Sequence, residues 1–431
     1  MSSKQRKRGG AGTLLKIAYR NIWRNGRRTA FCVIAVGVAV FILVFYRSFL
    51  DGFSRSIDDV VQIFETGHVR AVSKDYEAES EYSPVQYPLA AGRAEGRAEG
   101  RDLDGVMAEI AAIPGVAQVF PRISSYASLQ ESVIKSATLW GIDLEAERAA
   151  HYLNLTDRDD GLQEGRWPKP GANECAVGYA FARKAGLRLG DRILLSTVSA
   201  EYSDKLWEPE IVGIYSFDYI KYDEQTIIVD FQRLARLLDL EGTQQLIIYG
   251  EDGAESPRIA RAVQGILGEE AVVTGWQETY MVAVMRMMTP LYLVVGLVFL
   301  IVASFLIINT VMMIIHERIK EIGMMGSLGM TRAEIVRVFF FESAMLSILG
   351  ALAGVALGAL MTGIGQFYPL RLLDMTGNTF AEFPMGNALF MVFSWTGLVQ
   401  AFVMGVVVSA LFTLIPSLRS AYVEPVEALR R

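Results

Sequence analysis

The sequence predicts a polytopic α-helical membrane protein with four transmembrane helices and a large α+β domain inserted between the first and the second. Three observations predict it. The 431 residues are 52% hydrophobic and only 20% charged, a balance that excludes disordered, collagen-like and disulfide-scaffold chains. Four runs supply the roughly 20 apolar residues needed to cross about 30 Å of hydrocarbon. The charge is also segregated: a formal net of −6 hides nine Lys or Arg and no Asp or Glu in the first 28 residues.

The elements follow in chain order. Within the tail 1–28, Leu14 to Arg28 (LLKIAYRNIWRNGRR) mixes apolar and basic residues at helical spacing. It predicts a helix lying in the membrane interface, with Trp23 towards the apolar side and Arg20 and Arg24 near anionic headgroups. The first span is 29–50, where Arg47 sits close enough to the end to snorkel. This run is too long for a signal-peptide core and no A-x-A-like stretch follows, so it is expected to be an uncleaved signal anchor. The other spans are 290–315, 338–364 and 389–415; Glu342 in the third is costly unless it lies near the interface or is paired. Lys and Arg in the short flanks favour the cytoplasm. The segment 316–336 holds three (Arg318, Lys320, Arg332), the tail 416–431 holds three, and the loop 365–388 holds only Arg371. Both termini and the 316–337 loop are therefore expected inside, with 51–289 and 365–388 outside. From Asp51 to Pro290 there are 39 acidic and 23 basic residues, a net of −16, so the excess acid belongs to the exported domain.

That domain, of about 240 residues, is large enough for a core of its own. Period-two runs predict strands at Val116–Phe120, Ala137–Ile142, Arg192–Val198, Ile211–Tyr215, Thr226–Val229 and Leu246–Tyr249. Helical spacing marks Leu103–Ala112, Phe231–Leu238 and Pro257–Leu267. The polar repeat at Glu95–Arg101 reads as a solvated loop or frayed helix.

No catalytic constellation emerges. The sequence contains no Gly-Lys dipeptide, hence no G-x-x-x-x-G-K-[ST] loop to cradle ATP phosphates. His68, His151 and His316 are scattered, and HERIK at His316 lacks the second His of H-E-x-x-H. There is no G-x-S-x-G elbow and no C-x-x-C; on this topology Cys32 and Cys175 cannot pair. No catalytic, cofactor-binding or metal-ligating residue is therefore assigned. Met281, Met285 and Met288 share a helix face, but without acid or thiol partners they read as apolar filling. Trp276–Met288 is expected to be a helix entering the second span, a lever interrupted only at Pro290.

The segment His316–Ser343 is more informative. Thr331 and Glu334 form a T-x-x-E capping box that starts a helix into the third span, and Gly323, Gly326 and Gly329 precede it at steps of three. A bare connector needs only a few residues; this longer loop suits docking of a cytoplasmic partner. In the third span Gly350, Gly354 and Gly358 recur every fourth residue, a G-x-x-x-G-x-x-x-G row that lets another helix approach closely, either within the subunit or at a dimer seam.

R-I-K-E-I-G-M-M-G-S-L-G-M at Arg318–Met330, Glu342 and P-S-L-R-S-A-Y-V-E-P-V-E-A-L-R from Pro416 closely resemble the FtsX-like permeases of ABC transporters. That superfamily includes MacB-type efflux and LolC/LolE-type lipoprotein-releasing proteins. The exported part resembles the group's periplasmic core domain through I-P-G-V at Ile113, E-C-A-V-G at Glu174 and G-L-R-L-G-D-R-I at Gly186. The resemblance implies a mechanotransmission permease in the inner membrane, paired with a second permease chain as a homo- or heterodimer. It implies a separate cytoplasmic ABC ATPase that holds ATP and Mg, with no cofactor on this chain. Arg318, Glu321, Gly323 and Gly329 match the family's coupling-helix pattern, and Thr331 and Glu334 follow in the same loop. Lipids and a periplasmic carrier or adaptor are the other implied partners; nucleic acid is not. Lipoprotein release is the favoured activity, because spans nearly free of ionisable groups suit a lipid-facing substrate. Drug or peptide efflux, and signalling to a cell-wall hydrolase, are the alternatives.

Overall fold

The computed structural model describes residues 26–78, 84–89, 103–129, 133–149, 161–288, 290–317, 319–320, 324, 330–371 and 388–420. The repeat at Glu95–Arg101 and the interfacial stretch before Gly26 lie outside them. The chain divides into an apolar helical unit (up to Gly52, Arg286–Leu370, from Phe390) and an α+β unit (Phe53–Met285 with Arg371–Leu389).

The helices in chain order are α1 (Gly26–Val60), α2 (Lys74–Ala78), α3 (Leu103–Ala111), α4 (Leu144–Ala149), α5 (Tyr179–Ala185), α6 (Ile220–Gln225), α7 (Phe231–Leu237), α8 (Ser256–Leu267), α9 (Tyr280–Met288), α10 (Leu291–Glu317), α11 (Arg332–Gly365) and α12 (Trp395–Ser420). Among the described residues, four helical stretches are long and apolar enough to cross a membrane: Thr29–Glu65, Tyr280–Asn309, Arg332–Gly365 and Trp395–Ile415. In the apolar unit, Val36, Val40 and Leu43 of α1 pack with Leu300 and Ile307 of α10, Phe339 and Ala351 of α11 and Leu398 of α12. Arg47 pairs with Asp51 at 2.8 Å and lies 4.6 Å from the Tyr292 ring centroid, so its charge is held by partners inside the unit.

Three boundaries differ from the sequence expectation. The first helix does not stop at Leu50. It runs to Val60 and widens into a π-helical turn, Val61–Glu65; Phe53, Ile57, Val61 and Phe64 keep helical spacing and find apolar partners. The fourth long helix begins at Trp395 rather than Leu389. The Ser394 hydroxyl accepts the Gly397 N–H and its carbonyl accepts that of Leu398, which caps the helix there. Residues 390–393 are instead non-helical; the Ser48 hydroxyl donates to Val392 O, and Met391 N–H to Gly365 O. Finally, Trp276–Met288 is not one helix. Trp276–Glu278 form a 3₁₀ turn tied by Trp276 Nε1 to Gly253 O, Thr279 is extended, and α9 starts at Tyr280.

Among the described residues, eleven strands form one mixed sheet: β1 (Val69–Ser73), β2 (Val116–Leu129), β3 (Ser136–Ile142), β4 (Leu162–Gly165), β5 (Glu174–Gly178), β6 (Leu195–Val198), β7 (Asp204–Trp207), β8 (Glu210–Tyr215), β9 (Thr226–Asp230), β10 (Gln245–Gly250) and β11 (Ala271–Gly275). The order is β11-β1-β10-β2-β3-β9-β5-β8-β4, with β6 and β7 attached to β2. The strand expected at Arg192–Val198 is shorter, since Arg192 makes only an isolated bridge to Glu210. Strands β1, β4, β5, β7 and β11 had no counterpart in the sequence reading. One sheet face is covered by helices: α3 and α8 over Val69, Val119 and Ile248, and α5 and α7 over Ile123, Leu139 and Ile227. On the opposite face, Trp140, Ile142 and Ile228 receive Val60 and Phe64 from the end of α1.

Candidate functional site

The loop before α11 contains two sequence-predicted residues with described geometry. Thr331 is the N-cap of α11: its hydroxyl accepts the Glu334 N–H at 3.4 Å, and Glu334 Oε2 accepts the Thr331 N–H at 2.9 Å. Two of the orphan donors of the helix start are thereby satisfied reciprocally. Arg318, Glu321, Gly323 and Gly329 lie outside the described residues, as do Arg20, Trp23 and Arg24. Glu342 is buried within α11, at 6% exposure.

The glycine row of α11 faces α1 of the same chain. A Cβ added at Gly350 would lie 2.7 Å from Val36 Cβ, and one at Gly358 would lie 2.6 Å from Val44 Cγ1. At Gly354 an added Cβ would strike the Gly37 carbonyl, so the two backbones touch where both helices lack side chains. The row therefore serves packing within the subunit. Gly37, its counterpart, was not singled out in the sequence because it stands alone in its span. Met281 and Met285 fill an apolar cluster with Ile57, Val61 and Val282. Cys32 and Cys175 are buried free thiols.

The α+β unit holds an unanticipated cluster around the end of α1. A helix terminus leaves its last carbonyls without intrahelical donors. Here four successive carbonyls of the π turn each receive one: Val61 O from Thr66 N–H, Gln62 O from the Tyr249 hydroxyl, and Ile63 O and Phe64 O from Arg122 Nη1 at 3.4 and 3.2 Å. The guanidinium also complements the negative end of the helix dipole. Arg122 has no exposed surface; its Nη2 donates to Glu147 Oε2 at 3.1 Å, and its Cζ lies 4.4 Å from the Trp140 ring centroid. Burial opposes its charge, but Glu147 and Tyr249 outweigh that and keep it protonated. Burial also raises the Glu147 carboxyl, against the pull of Arg122. Phe64 stacks on Tyr222 at 4.1 Å and on Trp140 at 5.7 Å. Gly67, at φ +62°, turns the chain from this terminus into β1, where a Cβ would meet Ile247 Cγ2 at 2.6 Å. The helical spacing from Phe53 to Phe64 could have revealed the long helix. Nothing in the sequence marks Arg122 out from the other 40 basic residues.

Among the described residues no group of three or more His, Cys, Asp or Glu is arranged to hold a metal ion. A family model described as the MacB-like periplasmic core domain matches residues 29–266, more than half of the chain, and one described as the FtsX-like permease C-terminal region matches 293–425. The chain belongs to the FtsX-like, MacB-like permease family of ABC transporters. Its long apolar helices agree with the membrane permeases of this family, whose members are permease components that work with ATPase subunits. The lipoprotein-releasing system transmembrane protein LolC of Xylella fastidiosa is 21% identical over 330 residues, 74% of this chain and 78% of that protein. An uncharacterized ABC transporter permease of Methanocaldococcus jannaschii is 27% identical over 284 residues, 63% and 67% of the two chains. The macrolide export ATP-binding/permease protein MacB of Hahella chejuensis is 28% identical over 206 residues, 46% of this chain and 28% of that larger protein.

Proposed function

We propose that this permease transmits force rather than forming a polar channel, and that it serves release of lipoproteins from the inner membrane. The observation that carries the transmission reading is α1: one uninterrupted helix, Gly26–Val60, continues into a turn in which four successive carbonyls each receive a hydrogen bond. Movement imposed on the apolar helices by a separate ATPase, which binds ATP and Mg, reaches the sheet along this helix. Arg318, Glu321, Gly323 and Gly329, with the capped start of α11, form the surface on which the ATPase acts. The basic flanks support a cytoplasmic position for that loop and both termini and a periplasmic one for the acidic α+β domain. Arg20, Trp23 and Arg24 rest on the inner leaflet.

Similarity to LolC over three quarters of both chains supports lipoprotein as the substrate. Export of a drug-like molecule is the second reading, supported by the match to MacB. Reconstitution of the permease with its ATPase in proteoliposomes separates the two. ATP-dependent transfer of a triacylated lipoprotein to a soluble acceptor is expected; vectorial drug movement without lipoprotein transfer would replace the first reading with the second.

A further inference from the structure

On the sheet face that receives α1, beside its docked end, lies a cleft of about 310 Å³. Strand register builds the floor: Tyr126 lies opposite Thr138, and Thr138 opposite Thr226, so hydroxyls and a half-exposed Tyr126 ring share one concavity. Two charged groups line it from different elements, Glu65 from the π turn and Lys221 from α6. Both touch Tyr222. Its hydroxyl donates to Glu65 Oε1 at 3.2 Å, and Lys221 Nζ lies 5.8 Å from its ring centroid. Among the described residues, no ion pair joins Glu65 and Lys221 to each other or to anything else. The third charge in the lining, Arg70, is already engaged by Glu77 at 2.8 Å.

Two opposite charges in one concavity that do not meet leave two unanswered fields, and the ligand that answers both carries both signs. The volume is at the small end of ligand sites, which run from roughly 300 to 1,000 Å³. We propose that the cleft binds a small zwitterion, with its ammonium group at Glu65, its acidic group at Lys221 and its polar body against Thr138 and Tyr126. A dipeptide and a phosphoethanolamine headgroup share this chemistry. Because Glu65 ends the π turn, the bound ligand bridges the terminus of α1 to α6.

Isothermal titration calorimetry on the full chain in maltoside micelles tests the proposal with alanyl-alanine, its N-acetyl and amide derivatives, and O-phosphoethanolamine. Saturable binding of a zwitterion is expected, with alanyl-alanine weakened at least about tenfold when either of its charges is blocked. Saturation by phosphoethanolamine alone assigns the headgroup as the source, and saturation by the dipeptide alone assigns a peptide. Glu65→Gln and Lys221→Met are each expected to weaken the bound probe at least about tenfold. Among the described residues the Lys221 side chain makes no hydrogen bond, so Lys221→Met keeps the test valid should Glu65→Gln disturb the α1 terminus. No saturable heat from either zwitterion up to roughly 10 mM, or wild-type affinity in Lys221→Met, would overturn it.

Discussion

Arg122 has no exposed surface and satisfies two carbonyls of the α1 terminus as well as Glu147. Removing one partner of such a buried pair strands the other charge, at a cost of about 3–5 kcal/mol. Arg122→Met should therefore lower the apparent melting temperature of the full chain, followed by tryptophan fluorescence in detergent. Adding Glu147→Leu should restore part of the loss, because the stranded carboxyl is gone. Equal melting of wild type and Arg122→Met would show that the carbonyls need no clamp. Asp223 makes a separate prediction. Burial raises its carboxyl to about 7, against the hydrogen bonds from Phe217 N–H and the Ser216 hydroxyl. A folded value above the unfolded one favours the protonated form in the native state. The stability this contributes is complete below about pH 4 and is lost as pH rises through about 7. Asp223→Asn should flatten that part of the stability profile; an unchanged slope would assign the titration to another group.

At the scale of elements, the close approach of α1 and α11 depends on Gly354 and Gly37. Gly354→Leu should cost at least about 1–3 kcal/mol through overpacking. Gly363→Leu, at a position with nothing within 4 Å of an added Cβ, should leave the melting temperature near that of wild type. Equal effects would mean that the row is not a packing seam. This row was legible in the sequence because its period of four is a local signal, whereas its partner surface on α1 needed the fold. The capped start of α11 was legible for the same reason: Thr331 and Glu334 are three residues apart. The sheet was harder. β1 is paired with β10 and β11 from the far end of the domain, and β5, ECAVG, is buried between β8 and β9 with no alternation to read. Such short strands are defined by their neighbours rather than by their own pattern. The Arg122 cluster stayed hidden because it joins a strand, a short helix and a helix terminus that the sequence keeps apart.

For the molecule as a whole, the net charge of −6 resolves into a +9 tail, a −16 inserted segment and a remainder of +1. This segregation supports the proposed orientation, with basic flanks towards the ATPase and the acidic domain towards the substrate side. Family membership, the long apolar helices and the uninterrupted α1 fit one account, in which ATP hydrolysed by a partner moves the apolar helices and the clamped end of α1 carries that movement into the sheet. The most direct measurement is ATP turnover by the partner ATPase reconstituted in nanodiscs with this permease. Wild-type chain is predicted to stimulate turnover, while Glu321→Lys and Gly329→Trp insert normally and lose that stimulation; undiminished stimulation by both variants would contradict the account.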